Sequence, residues 1–220
     1  MFFLVNLPFQ EHEVADYERR RYRGLDQRLV HGRELKILRQ VLRFIKAEEP
    51  DKPSKLALDA PCGYGRFSGF LIEAGYRPVS CDLSLAMVRR ARAKDPISPF
   101  PIGVVGNVTR GLPVRAGVFP LIFSLRFFHH LHQPEERQSA LREFARASTC
   151  WLILSFYQAN PLHRAQRALR RRVKKSRTRI KMITAREFRE EAAAAGFRVV
   201  RVFPLFRGIH AQHIALLKKD

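Results

Sequence analysis

The stretch Leu56-Ala-Leu-Asp59-Ala-Pro-Cys-Gly63-Tyr-Gly65 decides how this chain is read. Leu56-Ala-Leu58 is a short apolar strand that runs into a tight loop ending in two glycines. Arg66 to Gly75 follows with helical spacing, placing Phe67, Phe70 and Leu71 on one face. Glycines between a strand and a helix let the backbone approach a ligand and leave helix N-terminal N–H groups free for an anionic end. Pro78-Val-Ser-Cys81 is the next strand and Asp82 closes it. An acid at that place accepts both hydroxyls of an adenosine ribose.

Further along, strands and helices alternate. Ser84 caps a helix running to about Lys94, Gly103-Val-Val105 is a third strand and Leu121-Ile-Phe-Ser124 a fourth. Glu135 to Ala147 is a helix, and Trp151 to Phe156 a fifth strand. Residues 184–196 read as a helix, opened by the Thr184/Glu187 capping box and stopped by Gly196. Phe197–Phe203 and Gln212–Leu217 are two strands that a short connection would pair antiparallel. Upstream, residues 11–48 are dense in charge, with Leu35, Leu38, Val41, Leu42 and Ile45 at helical spacing, so one or two amphipathic helices precede the sheet. Such alternation means βαβ units, a mainly parallel sheet and ligand binding at the strands' carboxyl ends.

The ligand is chosen by charge and by the glycine count. A nicotinamide dinucleotide fingerprint needs a third glycine where Ser68 stands, and pyrophosphate would be repelled by Asp59. S-adenosylmethionine carries an ammonium as well as a carboxylate on its methionine tail, which suits an acid beside a glycine loop.

From Leu56 to Trp151 the chain resembles the class I S-adenosylmethionine-dependent methyltransferases, and within them the small-molecule branch that includes ubiquinone- and biotin-pathway methylases. Leu58-Asp-Ala-Pro-Cys-Gly-Tyr-Gly-Arg66 looks like the first motif of that family. Cys81-Asp-Leu-Ser84 with Met87 and Ala91 looks like the second, and Gly106-Asn-Val-Thr-Arg-Gly-Leu-Pro113 like the adenine-binding turn. Arg126-Phe-Phe-His-His-Leu131 looks like the segment after the fourth strand.

The resemblance implies a Rossmann-like α/β fold, a seven-stranded mostly parallel sheet with an antiparallel last strand and helices on both faces. It implies S-adenosyl-L-methionine as cofactor. Asp59, Pro61, Gly63 and Gly65 would surround its methionine tail, Asp82 the ribose, and Leu83 and Met87 the adenine face. Asn107 and Val108 would hold the adenine edge, the Asn107 amide oxygen accepting from the adenine amino group, and Leu125 would complete the site.

Three positions depart from the family pattern. Pro61 stands for a glycine, Asn107 for an aspartate, and Pro120 for the aspartate that commonly opens the fourth strand.

Methyl transfer from a sulfonium needs an aligned acceptor and, for some acceptors, a proton removed. Arg126 and His130 are the candidates for that chemistry, with His129 beside them. Ser124-Leu-Arg-Phe127 lacks the Asn/Asp-Pro-Pro-Tyr/Phe pattern of amino-methylating nucleic-acid enzymes.

The acceptor side is marked by charge. Forty-one Lys and Arg against twenty Asp and Glu give +21, which calls for an anionic partner. Much of it lies in His163–Lys181, and no acid occurs between Glu143 and Glu187. That arm follows the fifth strand, where related enzymes insert a substrate-covering element. It is expected to meet an anionic acceptor, and its Leu169 and Val173 would also suit an anionic membrane surface. Arg19–Arg23 is a second basic cluster, expected to flank the same mouth.

One domain is expected. It comprises an N-terminal helical cap (1–50), a cofactor-binding core (51–157), a basic substrate-side insertion (158–183) and a C-terminal helix and strand pair (184–220). Three cysteines without CxxC spacing read as reduced, buried thiols, and Met1–Val5 is too short for a signal peptide, so a cytoplasmic protein without a metal is expected. An anionic small-molecule or lipid-linked acceptor is the leading substrate. An RNA methyltransferase is the alternative, and a non-catalytic binding protein on the same fold a further one.

Overall fold

The computed structural model describes residues 25–49, 55–94, 102–159, 180–208 and 210–220. The arm at 163–181, apart from Ile180 and Lys181, and the cluster at 19–23 lie outside the described residues.

Helix α1 (Leu25–Glu48) is one continuous helix. Strand β1 (Leu56–Asp59) leads through the glycine loop into α2 (Ser68–Glu73), and β2 (Arg77–Asp82) into α3 (Leu85–Arg92). Next come β3 (Gly103–Val105), β4 (Phe119–Ser124), the 3₁₀ turn Phe128–His130, α4 (Pro134–Ala147) and β5 (Ser148–Tyr157). The chain ends with α5 (Ala185–Ala194), β6 (Phe197–Pro204) and β7 (Gln212–Lys219). The expected caps form. Ser84 accepts from the Met87 N–H, and the Thr184/Glu187 box opens α5. α2 starts two residues later than the apolar spacing suggested, because residues 60–67 are taken up by the loop.

The seven strands lie in the order β3-β2-β1-β4-β5-β7-β6. β1 to β5 pair in parallel, and β7 runs antiparallel to both β5 and β6. This is the Rossmann-like sheet with a reversed last strand. The strand order reverses between β1 and β4, the place where open α/β sheets bind ligands. Two apolar layers cover the sheet. One packs α4 and α5 through Ala140, Leu141, Phe144 and Phe188. The other packs α1 and α2 through Ile37, Leu38, Val41, Ile45, Phe70 and Leu71.

The β4–β5 register slips between Phe119 and Leu121, so Pro120, which cannot donate a ladder hydrogen bond, sits at an irregularity.

Candidate active site

A cavity of about 440 Å³ opens at the carboxyl ends of β1 and β4. Asp59, Pro61, Gly63, Asp82, Leu83, Met87, Asn107, Val108, Leu125, Arg126 and His130 all line it, as does His129. Of the residues expected at the site, Gly65 alone is not on the wall. It acts one layer behind, where a Cβ would meet the Ala91 Cα at 2.7 Å. At φ +74°, it lets the loop turn while pressed against α3.

The loop is tied to the sheet by backbone bonds. The Ala60 N–H donates to the Phe123 carbonyl (2.9 Å) and the Cys62 N–H to the Cys81 carbonyl (2.8 Å). Asp82 then spans loop and strand. Its Oδ2 accepts from the Gly63 N–H (2.9 Å) and its Oδ1 from the Ser84 N–H (3.0 Å). The Leu83 N–H adds to these donors, and the carboxylate's remaining acceptor capacity is left for a ligand hydroxyl.

Asp59 is 3% exposed, and its Oδ2 is buried without a hydrogen-bond partner. Burial, with the nearby Asp82 charge adding to it, pushes its carboxyl well above the usual range. Asp82 is raised too, by burial, against the pull of its backbone donors. A buried acid with an unanswered oxygen at a cavity wall is what an ammonium would satisfy. Burial also pushes Cys62 up, and Cys81 to about 12, so both thiols stay protonated and supply no nucleophile.

The adenine turn differs in one detail from expectation. The Asn107 Oδ1 already accepts from the Thr109 N–H (2.9 Å) and the Thr109 hydroxyl (2.8 Å). Both its lone pairs are used in holding the turn, so in this arrangement the oxygen has none left for the adenine amino group. Asn107 therefore shapes the turn, and Val108, 5% exposed, supplies apolar wall beside it.

The far side of the cavity is built around a residue that the sequence did not single out. Glu34 of α1 is fully buried. It takes a two-pronged ion pair from Arg126, with Nε to Oε1 at 2.7 Å and Nη2 to Oε2 at 2.9 Å. The Gln212 amide donates to Oε1 (2.8 Å), and Arg66 Nη2 stands 3.8 Å from Oε2. His31 Nδ1 lies between Arg66 Nε (3.3 Å) and Glu34 Oε2 (3.6 Å). Burial alone would raise the Glu34 carboxyl. His31, the bonds and charge of Arg126, and the Gln212 amide more than offset it and hold the pKa at about 2.

Arg126 itself has φ +59°, a conformation that a side chain other than glycine adopts at a cost, and its N–H donates to the Ser155 hydroxyl (2.6 Å). Its guanidinium is thus committed to Glu34, which makes it a positioning residue in this arrangement. His130 is exposed at the end of the 3₁₀ turn, its ring 4.1 Å from that of His129, which lies 4.5 Å from the Tyr157 ring. Besides Glu34, the sequence reading missed Arg66, Phe67 and Tyr157, all on the cavity wall. A signal for Glu34 was present: it is an acid in register with Leu38, Val41 and Ile45, on the apolar stripe of its helix.

Residues 58–149 match the family model described as a methyltransferase domain. No curated protein sequence matches the chain significantly. Among solved structures the chain is similar to the magnesium protoporphyrin IX methyltransferase of Synechocystis PCC 6803 with bound S-adenosylhomocysteine. The TM-score is 0.76 at 19% identity, covering 96% of each chain. A TehB-like S-adenosylmethionine-dependent methyltransferase of Corynebacterium glutamicum gives 0.61 at 20% identity, covering 96% of this chain and 100% of that one. A methyltransferase of Methanosarcina mazei gives 0.63 at 17%, covering 76% and 93%.

Domain match and fold agree: residues 58–149 match a methyltransferase domain, and the chain shares the fold of solved S-adenosylmethionine-dependent methyltransferases. The site's chemistry fits that cofactor, with an unanswered buried carboxylate for the ammonium and Asp82 for the ribose. Among the described residues no group of His, Cys, Asp or Glu could hold a metal ion, and no helix is long and apolar enough to cross a membrane.

Proposed function

We propose that the protein transfers a methyl group from S-adenosylmethionine to an anionic small-molecule or lipid-linked acceptor. The observation that carries this reading is the charge at the acceptor end of the cavity. Two wall arginines, Arg66 and Arg126, share the single carboxylate of Glu34, leaving net positive charge beside Phe67, Phe127 and Tyr157. An acceptor with an acidic group and an apolar body suits that wall. A small-molecule methylase, the magnesium protoporphyrin IX methyltransferase, is among the similar folds.

On the cofactor side Asp59 would take the ammonium, Asp82 the ribose hydroxyls, and Leu83 with Met87 one face of the adenine. The cofactor supplies an activated methyl on sulfur. The chain aligns the acceptor with it and excludes water. His130, on the cavity wall, would take a proton where the acceptor requires it, and no step needs a protein nucleophile.

The basic arm supports the same reading through its two ends. The Ala159 N–H donates to the Ile183 carbonyl (2.8 Å), and the Lys181 N–H to the His129 carbonyl (3.0 Å). Chain therefore leaves and re-enters beside His129 and Tyr157, both on the wall.

The test is incubation of the protein and cofactor with fractionated cell extract, followed by mass spectrometry. A small acidic or lipid-linked product 14 mass units heavier is expected. Methylation confined to the RNA fraction would put the RNA methyltransferase, which the +21 charge also suits, in its place.

A further inference from the structure

Among the described residues, the two sides of the sheet differ in charge. Its α4/α5 side carries Glu135, Glu136, Glu143, Glu187, Glu190 and Glu191 among its basic residues. The α1 side is different. Glu34 is buried there, the other acids of α1 are Asp26 at its start and Glu48 at its end, and Glu73 lies on α2.

Between Asp26 and Glu48, α1 exposes Arg28, Lys36, Arg39, Arg43 and Lys46. At about 100° per residue these five fall within roughly 80° of one another and span roughly 27 Å of helix. The buried Ile37, Leu38, Val41, Leu42 and Ile45 face the opposite way. None of the five cations is paired with a carboxylate among the described residues. Leu29, at the start of the row, is 70% exposed. Two further cations lie on this side of the sheet, Arg201 over the Phe44 ring and Lys218 over the Trp151 ring.

We infer that this face of α1 is a docking surface for an anionic lipid bilayer. The row is straight, it is backed by a rigid core, and no exposed aromatic interrupts it. It therefore offers a plane of cations with one apolar side chain at its end, which matches a flat anionic surface. A nucleic-acid groove would want stacking side chains among the cations, and the row has none. The inner side of the same helix carries Glu34, which holds the cavity-lining Arg126. A bilayer on the outer side would bring the acceptor mouth to the lipid surface. This inference rests on fold and charge and stands apart from the identity of the acceptor.

The test uses the full chain and sedimentation with vesicles, at physiological salt. One vesicle set is phosphatidylcholine with roughly one-third phosphatidylglycerol, the other phosphatidylcholine alone. The protein is expected on the anionic vesicles only. The variant Lys36→Ser/Arg39→Ser/Arg43→Ser should bind them about 100-fold more weakly, since each cation contributes about fivefold. Arg115→Ser/Arg142→Ser/Arg189→Ser removes the same charge from exposed positions on the α4/α5 side and should lose much less. S-adenosylhomocysteine affinity, unchanged in both variants, checks that they fold.

Unchanged vesicle binding in the α1 variant would overturn the inference, and so would equal loss in both variants. Binding to total RNA but not to vesicles, lost in the α1 variant, would give the face to nucleic acid instead. None of these outcomes bears on methyl transfer, which is read separately.

Discussion

Glu34 and Arg126 stand at sequence positions far apart, yet they meet in a two-pronged ion pair of 2.7 and 2.9 Å at the wall of the cofactor cavity. The pair joins α1 to the second residue after β4, so α1 is part of the site and not an appendage to it. The glycine loop and Asp82 shape one half of the cavity, and this pair shapes the half beside Phe67 and Tyr157.

Replacing Glu34 by Gln keeps the shape and removes the charge that answers Arg126. Breaking a buried pair from one side leaves the other ion uncompensated, so a loss of about 3 kcal/mol in unfolding free energy is expected. The pH dependence follows from the carboxyl being held at about 2, below its ordinary 4.5. Its contribution is fully present above about pH 4.5 and fades as pH falls toward 2. Denaturant melts across that window should show a flatter acid limb in Glu34→Gln than in the wild type. Parallel limbs would mean that the pair contributes nothing.

Asp59 titrates in the other sense. Its carboxyl is raised by burial and by Asp82, so without ligand the folded state holds a proton that the unfolded chain gives up. This group therefore stabilises the fold below the usual carboxylate range, and that contribution is lost as pH rises through the raised value. An ammonium arriving at Asp59 favours the carboxylate and expels the proton. Affinity for S-adenosylhomocysteine should rise with pH over that window. Calorimetry in buffers of different ionisation enthalpy should detect proton release, which Asp59→Asn abolishes; buffer-independent heats would remove Asp59 from the ammonium role.

Gly65→Ala tests the loop. The new methyl has to displace the backbone of α3, which stands 2.7 Å from where it would lie, and it also meets an unfavourable φ. A stability loss of about 1–3 kcal/mol is expected from the strained conformation, together with weaker cofactor binding as the loop shifts. Gly63→Ala shares the positive φ but has open space at its Cβ, so it should cost less. Equal losses would show that backbone conformation matters here and packing does not.

The basic arm is tested through its cations. Neutralising Arg170, Arg171 and Arg172 together should raise the acceptor KM and leave S-adenosylhomocysteine affinity alone. An unchanged KM would take the arm out of acceptor binding.

The strands and the cofactor loop were legible in the sequence because their signals are local. An apolar run, a glycine turn and a strand-end acid each fall within a few residues. Asp59, Gly63 and Asp82 could be placed together because β1 and β2 are neighbours in a parallel sheet. The use of Asn107 as a brace for its own turn was not legible, since the Thr109 that occupies it is an ordinary residue two positions away. The Glu34 cluster was missed for a different reason. Its members come from α1, the cofactor loop, the end of β4 and the start of β7, and only the tertiary fold brings them to one carboxylate. The acid on the apolar stripe of α1 was the one trace it left in the sequence.

The central claim is tested most directly by titrating the purified protein with S-adenosylmethionine and S-adenosylhomocysteine in a calorimeter, with Asp82→Ala alongside. Both ligands should bind at one site per chain without added metal. The variant should bind about 2–3 kcal/mol more weakly, having lost the charge-assisted bonds to the ribose. Binding of NAD, with no heat from either adenosyl compound, would contradict the account.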